Sequence, residues 1–82
     1  MKLNVRYFAS LRESIGKSQE EITTSAQTVG ELRSQLLAQG ANYQSLARGK
    51  AVRIALNQVM VDEEAPLTEN SELAFFPPVT GG

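Results

Sequence analysis

Thr28-Val29-Gly30-Glu31-Leu32-Arg33-Ser34-Gln35-Leu36-Leu37-Ala38-Gln39-Gly40 is the stretch on which the fold turns. Thr28 is a residue type that caps a helix N-terminus, and Glu31, three residues on, completes a capping box. Val29, Leu32, Leu36 and Leu37 recur at i, i+3, i+7 and i+8, a single apolar stripe of helical period. Gly40 is placed as the C-cap. A helix with one apolar stripe must lie on one apolar surface, and the segments around it read as strands that supply it.

Working outward, residues 2 to 9 alternate, with Leu3, Val5 and Tyr7 on one side and Lys2, Asn4 and Arg6 on the other. That is the period of a half-buried strand. Phe8 falls on the polar side. Ser10 is read as the cap of a short helical turn over Leu11 to Ile15, with Glu13 as its capping-box partner and Gly16 ending it. Residues 19 to 24 read as a polar strand in which Glu20, Ile22 and Thr24 share a side, antiparallel to the first. Beyond Gly40, Tyr43, Leu46 and Ala47 suggest a second short helical piece before a break at Gly49. Val52, Ile54 and Leu56 then alternate as a third strand. Asn57-Gln58 is a turn, Val59 to Val61 a brief strand, and Asp62 to Glu64 an acidic loop. Residues 66 to 70 read as a turn. In the last strand, residues 72 to 76, Leu73 and Phe75 face one way and Ala74 and Phe76 the other, until Pro77-Pro78 ends the ladder.

The order is strand, strand, helix, strand, short strand, strand. One main helix cannot cover both faces of a sheet, so one face stays partly bare. The fold class is therefore α+β. A mixed sheet of four to five strands curls around the 29–39 helix, with short helical turns beside it, which is the β-grasp layout. Residues 1–78 make the domain and residues 79–82 a flexible Gly-Gly tail, with nothing in the chain placed to hold it beyond Pro78.

Composition excludes much. Eighty-two residues suit one domain, and 41% apolar content suits a globular one. There is no Cys and no His, so thiolate and imidazole nucleophiles, bases and metal ligands are all missing. A chain this short has little room for a pocket that would let carboxylates or lysines work alone, so it is not expected to be an enzyme by itself. The net charge of −1, with both signs scattered, argues against a nucleic-acid partner. No apolar run spans a bilayer, and the alternating N-terminus is not a signal peptide, so a cytoplasmic protein is expected. Adjacent acids such as Asp62-Glu63-Glu64 read as solvated surface, not a metal site. Lys2, Lys17 and Lys50 read the same way.

The tail Pro77-Pro78-Val79-Thr80-Gly81-Gly82 is more than a frayed end. Two prolines stiffen the exit from a strand, and Gly81 and Gly82 lack the Cβ that would block a narrow channel. Phe8, Phe76 and Met60 all fall on the sheet face away from the helix. Single exposed apolar residues are ordinary, but three large ones on one face point to a docking patch. Arg6 and Arg12 would rim it. On the residues alone, a protein modifier joined through Gly82 and a plain binding module with an inert tail both stay open.

The stretch from Leu73 to Gly82, Leu-Ala-Phe-Phe-Pro-Pro-Val-Thr-Gly-Gly, resembles the C-terminal signature of the small subunits of molybdopterin synthase. Residues Val5 to Glu13 and Leu56 to Val61 are similar to that family too. The resemblance implies a ubiquitin-like β-grasp fold and a sulfur carrier. In that cycle an ATP-dependent activating enzyme, an adenylyltransferase, adenylates the carboxyl group of Gly82. Sulfur from a persulfide donor replaces AMP to give a thiocarboxylate. The tail then enters the large subunit, where it donates sulfur to cyclic pyranopterin monophosphate. Gly81 allows the threading. Phe8, Arg12, Met60, Phe76, Pro77, Pro78, Val79 and Thr80 make the partner-binding set, in a heterotetramer of two small and two large subunits. The carrier itself binds no cofactor; ATP belongs to the activating enzyme. Carriers of other pathways, such as thiamine biosynthesis, also end in Gly-Gly but lack the Phe-Phe-Pro-Pro-Val-Thr lead-in.

Overall fold

The structure, a computed structural model, describes residues 1–47 and 51–78. Its elements follow in the order β1 (Lys2–Tyr7), α1 (Ser10–Ile15), β2 (Gln19–Thr23), α2 (Val29–Gln39), a 3-10 helix (Ala41–Leu46), β3 (Arg53–Leu56), β4 (Val59–Val61) and β5 (Glu72–Phe76). The strands form one sheet in the order β2-β1-β5-β3-β4. The first and last strands lie side by side at its centre and run parallel, with Tyr7 opposite Phe75. β2 is antiparallel to β1, β3 to β5 and β4 to β3. This is the mixed, helix-wrapped sheet that the element order implies.

Alternation in β1 becomes burial on one face. Leu3, Val5 and Tyr7 are buried there, beside Leu73 and Phe75 of β5 and Ile54 of β3. Val29, Leu32 and Leu36 of α2 close over them, and Leu37 is half-buried at the margin. Burying a side chain of this size stabilises the fold by about 1.5–3 kcal/mol. Leu11 and Ile15 of α1 and Tyr43 and Leu46 of the 3-10 helix seal one end.

The local signals hold with two adjustments. Thr28 Oγ1 accepts the Glu31 N–H at 3.2 Å, while the Glu31 carboxylate reaches back to the N–H of Gln27, at 3.0 Å, and not to that of Thr28. The first two N–H groups of α2 bond the carbonyls of Ala65 and Glu63, at 3.0 and 2.9 Å, so the acidic loop closes the helix N-terminus. Ser10 does not cap α1. The chain leaves β1 by a sharp bend at Ala9, φ 52° and ψ −128°, and Ser10 enters the first turn. Such a backbone costs an L-residue of order 1–3 kcal/mol. Gly16 ends α1 in the left-handed conformation, φ 92°, its N–H on the Arg12 carbonyl. The Asn57-Gln58 turn has positive φ at both residues, 50° and 72°, as a tight two-residue hairpin requires. The break expected at Gly49 and the tail expected at 79–82 lie outside the described residues.

Candidate functional site

Among the described residues, no helix covers the outer face of the sheet. Arg6, Ala74, Ala55 and Met60 follow one another across it in register, from β1 through β5 and β3 to β4. The two alanines keep its centre low. At the end where β1 and β5 both finish, Phe8 and Phe76 stack at 4.7 Å between centroids with their planes 9° apart. The Arg6 guanidinium lies 5.2 Å from the centroid of Phe8. Its Nη1 is 3.7 Å from Glu72 Oε1, an exposed pair that adds little stability. Met60 is 49% exposed. It joins Phe76, Pro77 and Arg53 in lining a groove of about 220 Å³.

The residues singled out from the sequence are thus partly assembled. Phe8 and Phe76 touch, and Met60 reaches Phe76 through the groove. Pro77 lies in the same groove, half-buried, and Pro78 is exposed. Arg12 is exposed on α1, just beyond Phe8, and among the described residues it pairs with no carboxylate. Val79, Thr80, Gly81 and Gly82 are outside the described residues. Two carboxylates of the acidic loop have local duties. Asp62 Oδ1 accepts the Glu64 N–H at 2.9 Å, and Glu63 Oε2 is 3.8 Å from Arg33 Nη1. Lys17 also has a partner, Glu20 Oε1, at 3.3 Å.

Two polar centres escaped the reading of the sequence. Arg33 is only 4% exposed inside α2. Its Nε and Nη2 donate to the carbonyls of Leu46 and Ala47, at 2.5 and 3.0 Å, tying the end of the 3-10 helix to α2. The second centre is Glu20, whose Oε2 accepts the hydroxyls of Tyr7 and Tyr43, both at 2.7 Å. Burial works against its charge, but the donors Tyr7, Tyr43 and Lys17 outweigh it and hold the carboxyl below the usual range. Burial, then the hydrogen bond and charge of Glu20, push the Tyr7 hydroxyl far above its ordinary value. Tyr43 moves the same way for the same causes. The signal was present: Glu20 shares a side with Ile22 and Thr24 by alternation, and a carboxylate on a buried face demands partners. These perturbed groups lie on the helix side of the sheet, opposite the Phe8–Phe76 pair. What the outer face offers is a surface, with Pro77 in the groove beside it.

A mixed five-stranded sheet, one long helix on one face and an open apolar patch on the other define a ubiquitin-like β-grasp domain. The chain belongs to the ThiS family, whose sequence profile matches residues 5–82. It is 38% identical over 80 residues to the molybdopterin synthase sulfur carrier subunit of Escherichia coli (strain K12), covering 98% of this chain and 99% of that protein. Among solved structures, it is similar to a chain in the complex of subunits 1 and 2 of molybdopterin-converting factor from Helicobacter pylori 26695. That likeness has 29% identity, a TM-score of 0.70 and full coverage of both chains. The crystal structure of Haloferax volcanii small archaeal modifier protein 1 matches with a TM-score of 0.80 over 95% of this chain and 98% of that one. At 21% identity this last likeness is one of fold.

Proposed function

We propose that this chain is the sulfur carrier subunit of a molybdopterin synthase and is not catalytic alone. An ATP-dependent activating enzyme converts the Gly82 carboxylate into an acyl adenylate, giving a poor electrophile a good leaving group. The terminal sulfur of a persulfide donor displaces AMP to form an acyl disulfide. A second thiol on the donor side cleaves its S–S bond, leaving a thiocarboxylate on Gly82 and a disulfide on the donor. The loaded tail enters the large subunit, where the soft sulfur attacks cyclic pyranopterin monophosphate. Two small and two large subunits assemble in the cytoplasm. Both chemical steps draw their acids, bases and nucleotide from the partners, which suits a chain with neither His nor Cys. Free thiols here would exchange with a persulfide donor.

The observation that carries this reading is the end of β5. The central strand finishes with Phe76 stacked on Phe8 and Pro77 in the adjoining groove. A partner that covers the aromatic pair therefore also receives the chain leaving it. Near full-length likeness to a named sulfur carrier subunit supports it. Phe8, Arg12, Met60, Phe76, Pro77 and Pro78 dock the partner, Val79 and Thr80 continue into it, and Gly81 passes where a Cβ would clash. One shared face makes the large subunit and the activating enzyme mutually exclusive partners.

Mass spectrometry tests the carrier role. Incubated with the activating enzyme, ATP and a persulfide donor, the chain gains the mass difference between one sulfur and one oxygen. Deleting Gly82, or adding one residue after it, abolishes the gain and leaves the circular dichroism spectrum unchanged. Loading that persists in both variants would sink the assignment of Gly82.

A further inference from the structure

We propose that Glu20 is a positioning residue for the Phe8–Phe76 surface, acting through Tyr7. Tyr7 and Phe8 are consecutive at the end of β1, and Phe75 and Phe76 at the end of β5. The strands are paired with Tyr7 opposite Phe75. The inner rings, Tyr7 and Phe75, lie nearly parallel, 14° apart at 6.0 Å, and the outer rings of Phe8 and Phe76 stack on the other face. Four aromatic side chains thus grip the two strand ends from both sides, at the root of the tail.

The grip has one weak flank. β1 ends at Tyr7, and among the described residues the Phe8 N–H, 3.2 Å from the Phe75 carbonyl, is the one bond that continues the pairing. The next residue is Ala9 in its strained conformation. The Phe8 carbonyl accepts the Leu11 N–H at 3.1 Å, and the buried anchor next to Phe8 is Tyr7, with which it shares a peptide. Tyr7 is 2% exposed, and its hydroxyl reaches the carboxylate of Glu20 on the neighbouring strand. Glu20 stands opposite Val5 in the β2–β1 register, so the bond is a diagonal brace across the strands. The same oxygen takes the Tyr43 hydroxyl from the 3-10 helix, whose ring packs 6.3 Å from Tyr7, and Lys17 holds the other oxygen. Without the carboxylate, both hydroxyls lose their acceptor. A buried phenol then shifts toward water, and the peptide it shares with Phe8 shifts with it.

The consequence for binding rests on the docking surface proposed above, so the test has two separate readouts. The first is the NMR chemical shifts of the Phe8 and Phe76 ring protons in the free chain, which ring currents move away from unstacked values. Glu20→Leu removes the acceptor, and Tyr7→Phe removes one hydroxyl while keeping the ring. Both should move these shifts toward unstacked phenylalanine. Tyr43→Phe removes the other hydroxyl from the same carboxylate oxygen while leaving the Tyr7 bond in place, and should move them less. Unmoved shifts in Tyr7→Phe would overturn the proposal even if Glu20→Leu failed to fold. Equal movement in Tyr43→Phe would overturn it too, since that would be general loosening. The second readout is affinity for the synthase large subunit, expected to fall roughly three- to tenfold in Tyr7→Phe by lost preorganisation. Moved shifts with unchanged affinity uphold the positioning role and count instead against the docking surface.

Discussion

Replacing Phe76 by alanine separates the docking surface from the core more cleanly than any other single change. Phe76 faces outward and is half-buried, while its neighbour Phe75 is fully buried on the other face. In the free chain, the substitution ends the parallel stack with Phe8 at 4.7 Å. An aromatic pair contributes about 0.5–1.5 kcal/mol beyond burial, and part of that survives here because the pair is open to solvent. The free variant should therefore lose about 1 kcal/mol or less of stability. In the docking proposed above, the large subunit covers the ring. The ring forms one wall of the Met60–Pro77 groove and half of the stack, the position of a hot-spot aromatic. Its loss should weaken binding of the large subunit by about 1–3 kcal/mol. That corresponds to a rise in Kd of roughly five- to 150-fold. Calorimetric titration of the large subunit with wild type and variant gives the difference directly, and a thermal melt of each confirms the fold. An unchanged Kd with an intact melt would refute the assignment of this face to docking.

Other outcomes concern the interior. Arg33→Met strips the carbonyls of Leu46 and Ala47 of buried, charged donors and removes the cation beside Glu63. It should cost about 2–4 kcal/mol in urea unfolding, and an unchanged midpoint would contradict the role given to the guanidinium. Glu20 titrates below its ordinary range in the folded chain, so its contribution is present above that range and is lost as pH falls through the folded value. Tyr7 titrates far above pH 10.0, so its contribution is present below that pH and is lost as pH rises beyond it. Stability should thus decline on both sides of neutrality. Glu20→Gln should flatten the acid limb, comparing urea midpoints near about pH 3 and pH 7, and Tyr7→Phe the alkaline one. Parallel limbs in variant and wild type would exclude these groups as the cause.

Much of the architecture could be read from local pattern. The capped stripe of α2, the alternation of β1 and β5 and the Asn57-Gln58 hairpin all match the structure, since each signal sits within a few residues of the element it creates. The outward placement of Phe8, Phe76 and Met60 followed from the same two-residue period. The reading failed where the deciding partner was distant. Ser10 has the right chemistry for a cap, but the route out of β1 put the bend at Ala9. Arg33 is not among the residues of the apolar stripe, and the 3-10 helix folding back beside α2 encloses it. Glu20 stood on the buried side by its own alternation, yet its donors come from three other places in the chain.

What the sequence determined by itself is what short-range sterics and periodicity control. These are which segments are strands, which is the helix, which face of each is apolar, and that neither a thiolate nor an imidazole is available for chemistry within the chain. The order of the strands was decided only by the tertiary structure. β5 slides between β1 and β3, which sets Phe76 against Phe8 and Pro77 in the groove beside them. That insertion pairs the two ends of the chain. Its free energy comes from burying Tyr7, Phe75 and Leu73 together, which no local pattern in either strand can reveal.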